Sequence, residues 1–479
     1  MRTNLNKILT VLACVLISAC STNAKYSNKT LIADADEHIS IPFEHESVSA
    51  KDCFTQEGQR NVAVFFDGTA NNPSSETNLF KLKSMVAMQP MAGECPHNYV
   101  LYVKGIGSQG NWFKKAIEGM TGSGIGEDVR QAYQYISTYY RGDQDNIYIF
   151  GFSRGAAAAR ILASFLDTVG KSDKMLSEYS IKKLYNIYKG DQPIASRKKA
   201  ALDFIGPDHK IETGVAFMGL FDTVAALGFT HFGENKAQLN SHYSDTLCGV
   251  KRAAHAVSID DNRSSDFTPA LLNKNQLNSC IKRKPKFLGF VDQVWFSGAH
   301  SDIGGGYLDT DLSGMTLNWM IDRVVEADTE LSNELGGDHI PLIEIVSRTY
   351  EDTFGQSHDA EEDSWFSRNQ NRDWPNILNE DNNNNEDSKK YLDTGLKAPL
   401  IHKSVESRLA QMVKLKRDFD WTAKPKSEKK TTNYSHCFDK EMTEKGALLT
   451  LIKDPVLKPG LVCPTVWVSR TEKRKNGLK

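Results

Sequence analysis

Short apolar runs alternate along this chain with segments whose apolar residues recur at helical spacing. Five runs have the length and composition of buried strands, and they cover residues 62–66, 99–103, 146–150, 215–221 and 290–296. Between residues 127 and 141, apolar positions recur every three or four residues, as on one face of a helix. Strands that alternate with helices form a mostly parallel sheet with helices on both faces. The pattern therefore predicts an α/β fold.

The third apolar run leads directly into a serine flanked by glycines, with Ser153 between Gly151 and Gly155. Four alanines, residues 156–159, begin the helix that is predicted to follow. A serine on a tight strand-to-helix turn has a strained backbone, and the glycines let strand and helix approach without a Cβ clash. The first amides of the helix direct their partial positive charge at the serine. Ser153 is therefore the predicted nucleophile.

Two more polar residues stand in the loops that follow predicted strands. Asp222 follows the run at 215–221, and His300 follows the run at 290–296 in a glycine-rich loop. Catalytic groups in open α/β sheets collect at the carboxyl ends of the strands, so we expect these two residues to lie near Ser153. His300 would take the serine proton as general base, and Asp222 would fix the imidazole tautomer and stabilise the imidazolium.

Each of these assignments has an alternative. Asp222 could be a loop-capping aspartate, and His300 could be bonded only within its own loop. His255 is the rival base, although its apolar surroundings favour a hydrogen-bonded core histidine. Asp302 could replace Asp222 as the acid, but a residue so close to His300 would more easily brace the loop.

Acyl transfer also needs hydrogen-bond donors for the developing oxyanion. The backbone amide of Arg154 is one candidate by position. The second is expected from the loop after the first strand, at Gly68, with Asp67 as a supporting residue. The same stretch weakly resembles a haloacid-dehalogenase phosphatase motif, but Phe65 occupies the position of that motif's nucleophilic aspartate. The glycines of residues 122–126 fit neither a dinucleotide fingerprint nor a P-loop, so a flexible helix entry is favoured there.

The beginning of the chain resembles a bacterial lipoprotein signal peptide. Residues 1–20 contain a basic start, an apolar run too short to span a bilayer, and a lipobox that ends at Cys20. Cys20 is the predicted lipidation site, with an ordinary secretory signal as the alternative. Ser21 follows it, which by this resemblance implies the outer membrane, facing the periplasm of a bacterial cell envelope. Residues 21–57 are polar and are predicted to form a flexible tether.

The remaining chain divides into a predicted catalytic domain, residues 58–335, and a C-terminal α/irregular extension, residues 336–479, which could pack on the core or form a small appended unit. Within the extension, residues 380–390 are predicted to be a solvated loop, and the basic residues 470–475 a solvated tail that could alternatively touch anionic lipid. With 40% hydrophobic residues, 25% charged residues and a net charge of −2, the composition gives no indication of a nucleic-acid partner.

Eight cysteines are present, of which Cys14 and Cys20 belong to the leader. Because an exported protein can form disulfides, we expect the other six to pair. Pairing between neighbours along the chain would join Cys53 to Cys95, Cys248 to Cys280, and Cys437 to Cys463. Fifteen pairings are possible, and free thiols are the alternative. No cysteine or histidine cluster has zinc spacing, so neither a metal nor a cofactor is expected.

Five motifs together carry a family resemblance. In chain order they are residues 66–72, residues 151–156, residues 221–224, Ala254-His255 with Asp260 and Arg263, and residues 298–307. They resemble the α/β-hydrolase family that contains the type VI secretion phospholipase effectors, over about residues 60–330. The resemblance implies a serine hydrolase of acyl esters, with phospholipid as the leading substrate class and with Ser153, Asp222 and His300 at the positions of the family's triad. Injected effectors generally lack a signal peptide, so the leader favours a resident envelope enzyme.

The sequence thus predicts a membrane-tethered phospholipase or lysophospholipase that forms an acyl-enzyme on Ser153. Membrane lipid would be both the anchoring surface and the substrate, and a protein partner cannot be read from the sequence. Two alternatives stay open. One is an esterase or peptidase that acts on a soluble substrate. The other is a non-catalytic envelope lipoprotein that retains the hydrolase scaffold.

Overall fold

The structure is a computed structural model of the whole chain. It describes the part of the chain that begins at Gly58. The described residues are 58–69, 71, 73–87, 95–105, 123–172, 174–224, 247–261, 271–272, 280, 282, 290–335, 339–358, 400–408, 438–443, 446–451, 465–469 and 472. The predicted signal peptide with Cys20, the tether at 21–57 and the loop at 380–390 lie outside them, as does all of the segment 470–475 except Glu472.

Among the described residues, eight strands form the central sheet, and every neighbouring pair in it is parallel. The strands are numbered along the chain together with those of two minor strand pairs that lie outside this sheet. In spatial order the sheet strands are β12 (Thr465–Val466), β9 (Leu400–Ile401), β8 (Val291–Phe296), β7 (Val250–Ser258), β6 (Val215–Phe221), β3 (Asn146–Phe152), β1 (Asn61–Phe66) and β2 (Asn98–Val103).

The expected α/β architecture is confirmed, and all five predicted strands lie in this sheet. Every residue of β1, β3 and β6 is buried. A parallel strand covered on both faces needs apolar side chains on both of its sides, which is why these segments read as continuous apolar runs.

Helices cover the two faces of the sheet. Their ranges are α1 (Asn78–Val86), α2 (Ser123–Tyr139), α3 (Arg154–Val169), α4 (Glu178–Lys189), α5 (Ile194–Ile205), α6 (His300–Gly304) and α7 (Asp311–Leu335). Two short 3₁₀ turns occupy Pro73–Ser75 and Pro207–His209.

Alternate side chains of each strand enter separate apolar layers. One layer contains Val62 and Ile149 and is closed by α2, α3, α4 and α5. The other contains Phe65 and Phe150, whose rings stack at 4.9 Å, and is closed by α1 and α7. Because successive residues of a strand point to opposite faces, one continuous apolar run supplies both layers.

The C-terminal segment contributes to the main sheet. Strand β9 pairs with β8, and β12 pairs with β9. Just after β12, the Trp467 ring lies beneath the Arg323 guanidinium of α7, which is 4.4 Å from the ring centre. Strands β10 (Phe438–Thr443) and β11 (Gly446–Leu451) form an antiparallel pair, as do β4 (Lys171–Ser172) and β5 (Lys210–Ile211). The domain boundary at residue 335 stays a prediction.

One predicted disulfide is confirmed, because Cys248 and Cys280 are bonded, with their Cα atoms 4.8 Å apart. Cys95 is also disulfide-bonded, and its predicted partner Cys53 lies outside the described residues. The predicted pair of Cys437 and Cys463 lies outside the described residues. Among the helices that the structure describes, none combines the length and apolar character needed to cross a bilayer.

Candidate active site

The carboxyl ends of four adjacent strands meet at one edge of the sheet. In the register of β1 and β3, Phe66 is level with Gly151, and in that of β3 and β6, Phe152 is level with Phe221. Strand β7 continues this row on the far side of β6. The residues that follow these strands therefore share one edge. They include Ser153 after β3 and Asp222 after β6.

Ser153 occupies the turn between β3 and α3 in a strained conformation. Its φ of 58° and ψ of −125° lie outside the regions that residues with a side chain usually adopt. Backbone hydrogen bonds hold this conformation. The Ser153 amide donates to the carbonyl of Phe221 at 3.0 Å, and its carbonyl accepts from the amides of Val224 at 3.2 Å, Ala156 at 3.0 Å and Ala157 at 3.3 Å. The surrounding loops thus impose the strain.

The two glycines of the motif are required by close contacts. A Cβ atom on Gly155 would lie 2.1 Å from the carbonyl oxygen of Phe66, and one on Gly151 would lie 2.5 Å from the Cα of Ala156. Both distances are far below van der Waals contact, and in both cases the obstacle is backbone. These distances show why the close approach of strand and helix requires glycine at both positions.

Asp222 is fully buried, with a φ of 38°. Its amide donates to the carbonyl of Ala256 at 2.8 Å, and its Oδ1 accepts from the amide of Ser258 at 3.0 Å. Its Oδ2 lies 2.7 Å from Nδ1 of His300. Each carboxylate oxygen therefore has a donor, and the side chain is aimed at the histidine.

His300 begins the short helix α6 and is nearly buried. Its Nδ1–H donates to Asp222, which sets the tautomer in which Nε2 can accept a proton. Its amide donates to Oδ2 of Asp261 at 3.1 Å. The imidazole lies 4.7 Å from the ring of Phe152, the residue that precedes Ser153. The structure thus pairs the predicted acid with the predicted base and sets the imidazole against the residue before the predicted nucleophile.

His255, the rival base, has a different environment. It is fully buried in β7, its Nε2 accepts from the amide of Thr223 at 3.1 Å, and its Nδ1–H donates to Oε1 of Gln293 at 3.0 Å. Burial lowers the pKa of His255 to about 4. Both ring nitrogens are therefore used by a neutral side chain that supports the residue after Asp222.

Asp302, the rival acid, is paired with another histidine. Its Oδ1 accepts from Nδ1 of His358 at 2.7 Å, and its Oδ2 accepts from the amides of Ala299 at 2.8 Å and His358 at 3.0 Å. The His358 ring stacks on Tyr307 at 3.9 Å. Asp302 thus braces the start of α6 and fastens the segment at 339–358 to it.

The loop after β1 is organised by the buried carboxylate of Asp67. Its Oδ1 accepts from the Gly68 amide at 2.7 Å, and its Oδ2 accepts from Thr77 Oγ1 at 2.7 Å and from Tyr102 Oη at 2.5 Å. Burial raises the pKa of Asp67, and these hydrogen bonds oppose that increase. Gly68, a predicted oxyanion donor, therefore has its amide directed at Asp67. A Cβ atom on Gly68 would lie 3.0 Å from the Phe152 ring.

Ser258 and Asp261 are supporting residues that were not identified from the sequence, and Asp260 was named there only as part of a family motif. Ser258 donates through its hydroxyl to the carbonyl of Gly298 at 2.7 Å, and Asp260 accepts from the Gly298 amide at 2.7 Å. Asp261 holds the amide of His300. Ser258 is the last residue of β7, and Asp260 and Asp261 follow it. Polar residues at the end of an apolar run, as at Asp222, are the pattern that could have indicated them.

Two further expectations from the sequence concern the glycines at 122–126 and a metal site. Residues 123–126, the described part of the weak phosphate-loop signal, form the first turn of α2. Across the described part of the chain, no group of three or more histidine, cysteine or acidic side chains is arranged to hold a metal ion.

Comparisons with known proteins address the central part of the chain. The model of the family described as "T6SS, Phospholipase effector Tle1-like, catalytic domain" matches residues 60–323. A stretch of 238 residues is 28% identical to the uncharacterized protein YEL023C of Saccharomyces cerevisiae (strain ATCC 204508 / S288c). That match covers 44% of the chain and 33% of the yeast protein, so the chain spans about a third of the length of this relative.

The chain is also similar to solved structures. The Tle1 effector bound to the VgrG spike of the type 6 secretion system matches with 19% identity and a TM-score of 0.26, over 53% of this chain and 52% of that one. The apo form of Thermogutta terrifontis esterase 2 matches with 15% identity and a TM-score of 0.30, over 59% of this chain and 86% of that one.

Proposed function

Because the chain belongs to the family of Tle1-like catalytic domains of type VI secretion phospholipase effectors, we propose that it is a serine hydrolase of acyl esters with Ser153, His300 and Asp222 as its catalytic residues. The single observation that best supports this proposal is the 2.7 Å hydrogen bond between His300 Nδ1 and Asp222 Oδ2, at the sheet edge where Ser153 has a strained backbone. An acid, a base and a nucleophile at one sheet edge are the parts that acyl transfer needs.

In the proposed reaction, Ser153 Oγ attacks the carbonyl carbon of the ester while His300 Nε2 takes the serine proton. The imidazolium that forms is stabilised by the carboxylate of Asp222. When the tetrahedral intermediate collapses, the alcohol leaves with the proton from His300, and the acyl group stays on Ser153. Water then attacks the acyl-enzyme and gives a proton to His300. When this second tetrahedral intermediate collapses, His300 returns the proton to Ser153 Oγ, and the fatty acid leaves.

The negative charge on the carbonyl oxygen is proposed to develop at the N-terminus of α3. The Arg154 amide is the first of that helix, and the dipole of the 16-residue helix adds to its effect. The amide of Gly68 is directed at Asp67, so Gly68 is not proposed as an oxyanion donor. Its lack of a side chain instead lets the loop pack closely on Phe152.

We further propose that the substrate is a phospholipid or lysophospholipid and that Cys20, at the end of the lipobox, anchors the mature protein in the bacterial cell envelope, on the periplasmic face of the outer membrane. A tether of residues 21–57 would hold the site near the bilayer, because a flexible chain of that length spans roughly 30 Å.

The nucleophile is tested with a fluorophosphonate probe, which reacts with activated serines. We expect the wild-type protein to be labelled and Ser153→Ala to be unlabelled, with turnover of a p-nitrophenyl ester reduced on the order of 10⁶-fold. Labelling that persists in Ser153→Ala, or a wild-type protein with neither labelling nor turnover, would refute the proposal. The latter result would favour the non-catalytic lipoprotein.

The substrate class is tested by mass spectrometry of phosphatidylethanolamine and phosphatidylglycerol vesicles after incubation with the wild-type protein or with Ser153→Ala. Fatty acid release by the wild-type protein alone supports a phospholipase. Hydrolysis of soluble short-chain esters without any release from vesicles or micelles favours the soluble-substrate esterase. The anchor is tested separately, because Cys20→Ala should move the protein from the membrane fraction to the soluble fraction.

A further inference from the structure

The preceding proposal assigns one oxyanion donor, the Arg154 amide, and leaves the second donor unassigned. The Gly68 amide donates to Asp67 Oδ1 at 2.7 Å, and the same carboxylate is held in place by Thr77 and Tyr102. A hydrogen bond to a buried carboxylate is stronger than one between neutral groups, so this amide is committed. A second donor to the substrate must therefore come from another group near Ser153.

Thr69, the next residue of the same loop, has a buried hydroxyl with no hydrogen-bond partner among the described residues. Buried hydroxyl groups are nearly always paired, because leaving water without a replacement partner is unfavourable. A buried hydroxyl that lacks a partner in the protein is therefore a candidate for pairing with a ligand.

The register of the sheet places this loop beside the nucleophile. Phe66 of β1 is level with Gly151 of β3, and two residues further along each chain stand Gly68 and Ser153. Gly68 packs against the Phe152 ring, and its carbonyl accepts from the Asn71 amide at 2.9 Å, which closes a tight turn around Thr69. Thr69 thus lies on the turn that borders the start of α3.

We infer that the Thr69 hydroxyl is the second oxyanion donor and acts together with the Arg154 amide. This inference rests on the proposed function. As Ser153 Oγ bonds to the carbonyl carbon, the electron pair of the C=O bond moves to the oxygen, and the Thr69 O–H donates a hydrogen bond to that oxygen without transferring its proton. The ligand at this position is the carbonyl oxygen of an acyl ester.

The inference is tested with Thr69→Val, which keeps the shape of the side chain and removes the hydroxyl, and with Thr69→Ser, which restores it. Loss of one oxyanion donor lowers kcat by about 10²–10³-fold, so we expect that loss in Thr69→Val with KM changed by less than about threefold. Thr69→Ser should recover most of the rate. A trifluoromethyl ketone, which forms a tetrahedral adduct on the serine, should bind Thr69→Val more weakly by about the same factor as the loss in kcat/KM.

Thr329→Val is the matched control, because its hydroxyl is exposed on α7 and bonds only within that helix. It should retain wild-type kcat.

If Thr69→Val does not fold, the same loss of kcat is expected in Thr69→Ala. Wild-type kcat in Thr69→Val, or equal losses in Thr69→Val and Thr69→Ser, would overturn the inference. A wild-type enzyme that depends on Ser153 while Thr69→Val stays fully active would overturn only this inference, whereas hydrolysis independent of Ser153 would overturn the proposed function.

Discussion

The Nδ1 atom of His300 lies 2.7 Å from Oδ2 of Asp222, although 78 positions separate the two residues in the chain. The parallel order of β6, β7 and β8 brings them together, because each residue follows the carboxyl end of its strand. Asp302, only two positions after His300, is bonded to His358 instead. Proximity in the chain is thus a poor guide to which carboxylate serves the histidine.

Asp222→Asn should reduce kcat by about 10⁴-fold, because the amide would favour the wrong imidazole tautomer while leaving the shape of the site intact. Asp302→Asn is the matched control, since it weakens the brace at α6 without removing the partner of His300. Steady-state hydrolysis of a p-nitrophenyl ester by both variants measures the contrast. Equal losses in the two variants would contradict the assignment of Asp222.

Gly155→Ala should destabilise the protein by about 1–3 kcal/mol or more, because the new methyl group would lie 2.1 Å from the backbone oxygen of Phe66. The control is Gly214→Ala, where the nearest atom to a Cβ is 3.9 Å away, in ordinary contact. Urea unfolding of both variants gives the free energies. The expectation fails if Gly155→Ala unfolds at the same midpoint as Gly214→Ala.

Removal of the disulfide in the double variant Cys248→Ala/Cys280→Ala should lower the free energy of unfolding by about 2–4 kcal/mol. The bond closes a loop with a sequence separation of 32, which restricts the unfolded chain. The double variant is preferable to a reducing agent because Cys95 is also disulfide-bonded and would be reduced as well. Unchanged unfolding in urea would show that the bond does not stabilise the domain.

Acidification should destabilise the protein partly through His255. Burial lowers its pKa in the folded state to about 4, so the unfolded state, with a pKa near 6.5, binds a proton first as the pH falls. This contribution to stability is complete above about pH 6.5 and is lost progressively as the pH falls toward 4. Between pH 7 and pH 4.5 it amounts to about 2 kcal/mol.

The comparison of wild type with His255→Gln isolates this contribution. Urea unfolding at the two pH values should show a smaller loss of stability in the variant, by about 2 kcal/mol. His402, whose pKa burial also lowers to about 4, offers an independent site for the same measurement. An identical pH dependence in wild type and His255→Gln would show that His255 does not contribute in this way.

Five of the eight strands of the sheet and the turn at Ser153 could be predicted from the sequence because their signals are local, whereas β7, β9 and β12 were not predicted. A buried parallel strand needs an unbroken apolar run, and a close strand-to-helix approach needs glycine at two fixed positions. The pairing of Cys248 with Cys280 was likewise predicted from their neighbouring places in the chain. Each of these features depends on residues only a few positions apart or on order along the chain.

The side-chain pairing at the sheet edge could not be predicted in this way. Loops have no periodic pattern, so the sequence left both Asp222 and Asp302 as partners for His300, and both His255 and His300 as bases. Burial and register decide these alternatives in the folded structure, where His255 is enclosed within β7 and Asp302 is turned toward His358. The hydrogen bond from the Gly68 amide to Asp67 could not be predicted for the same reason.

The sequence by itself therefore determined the elements of the fold and the place of Ser153, because backbone geometry limits the residues that a strand or a tight turn can contain. Only the tertiary structure decided which polar side chains meet after those strands. Hydrogen bonds between residues far apart in the chain form at distances set by the packing of the whole sheet, and that packing is not encoded in any single segment.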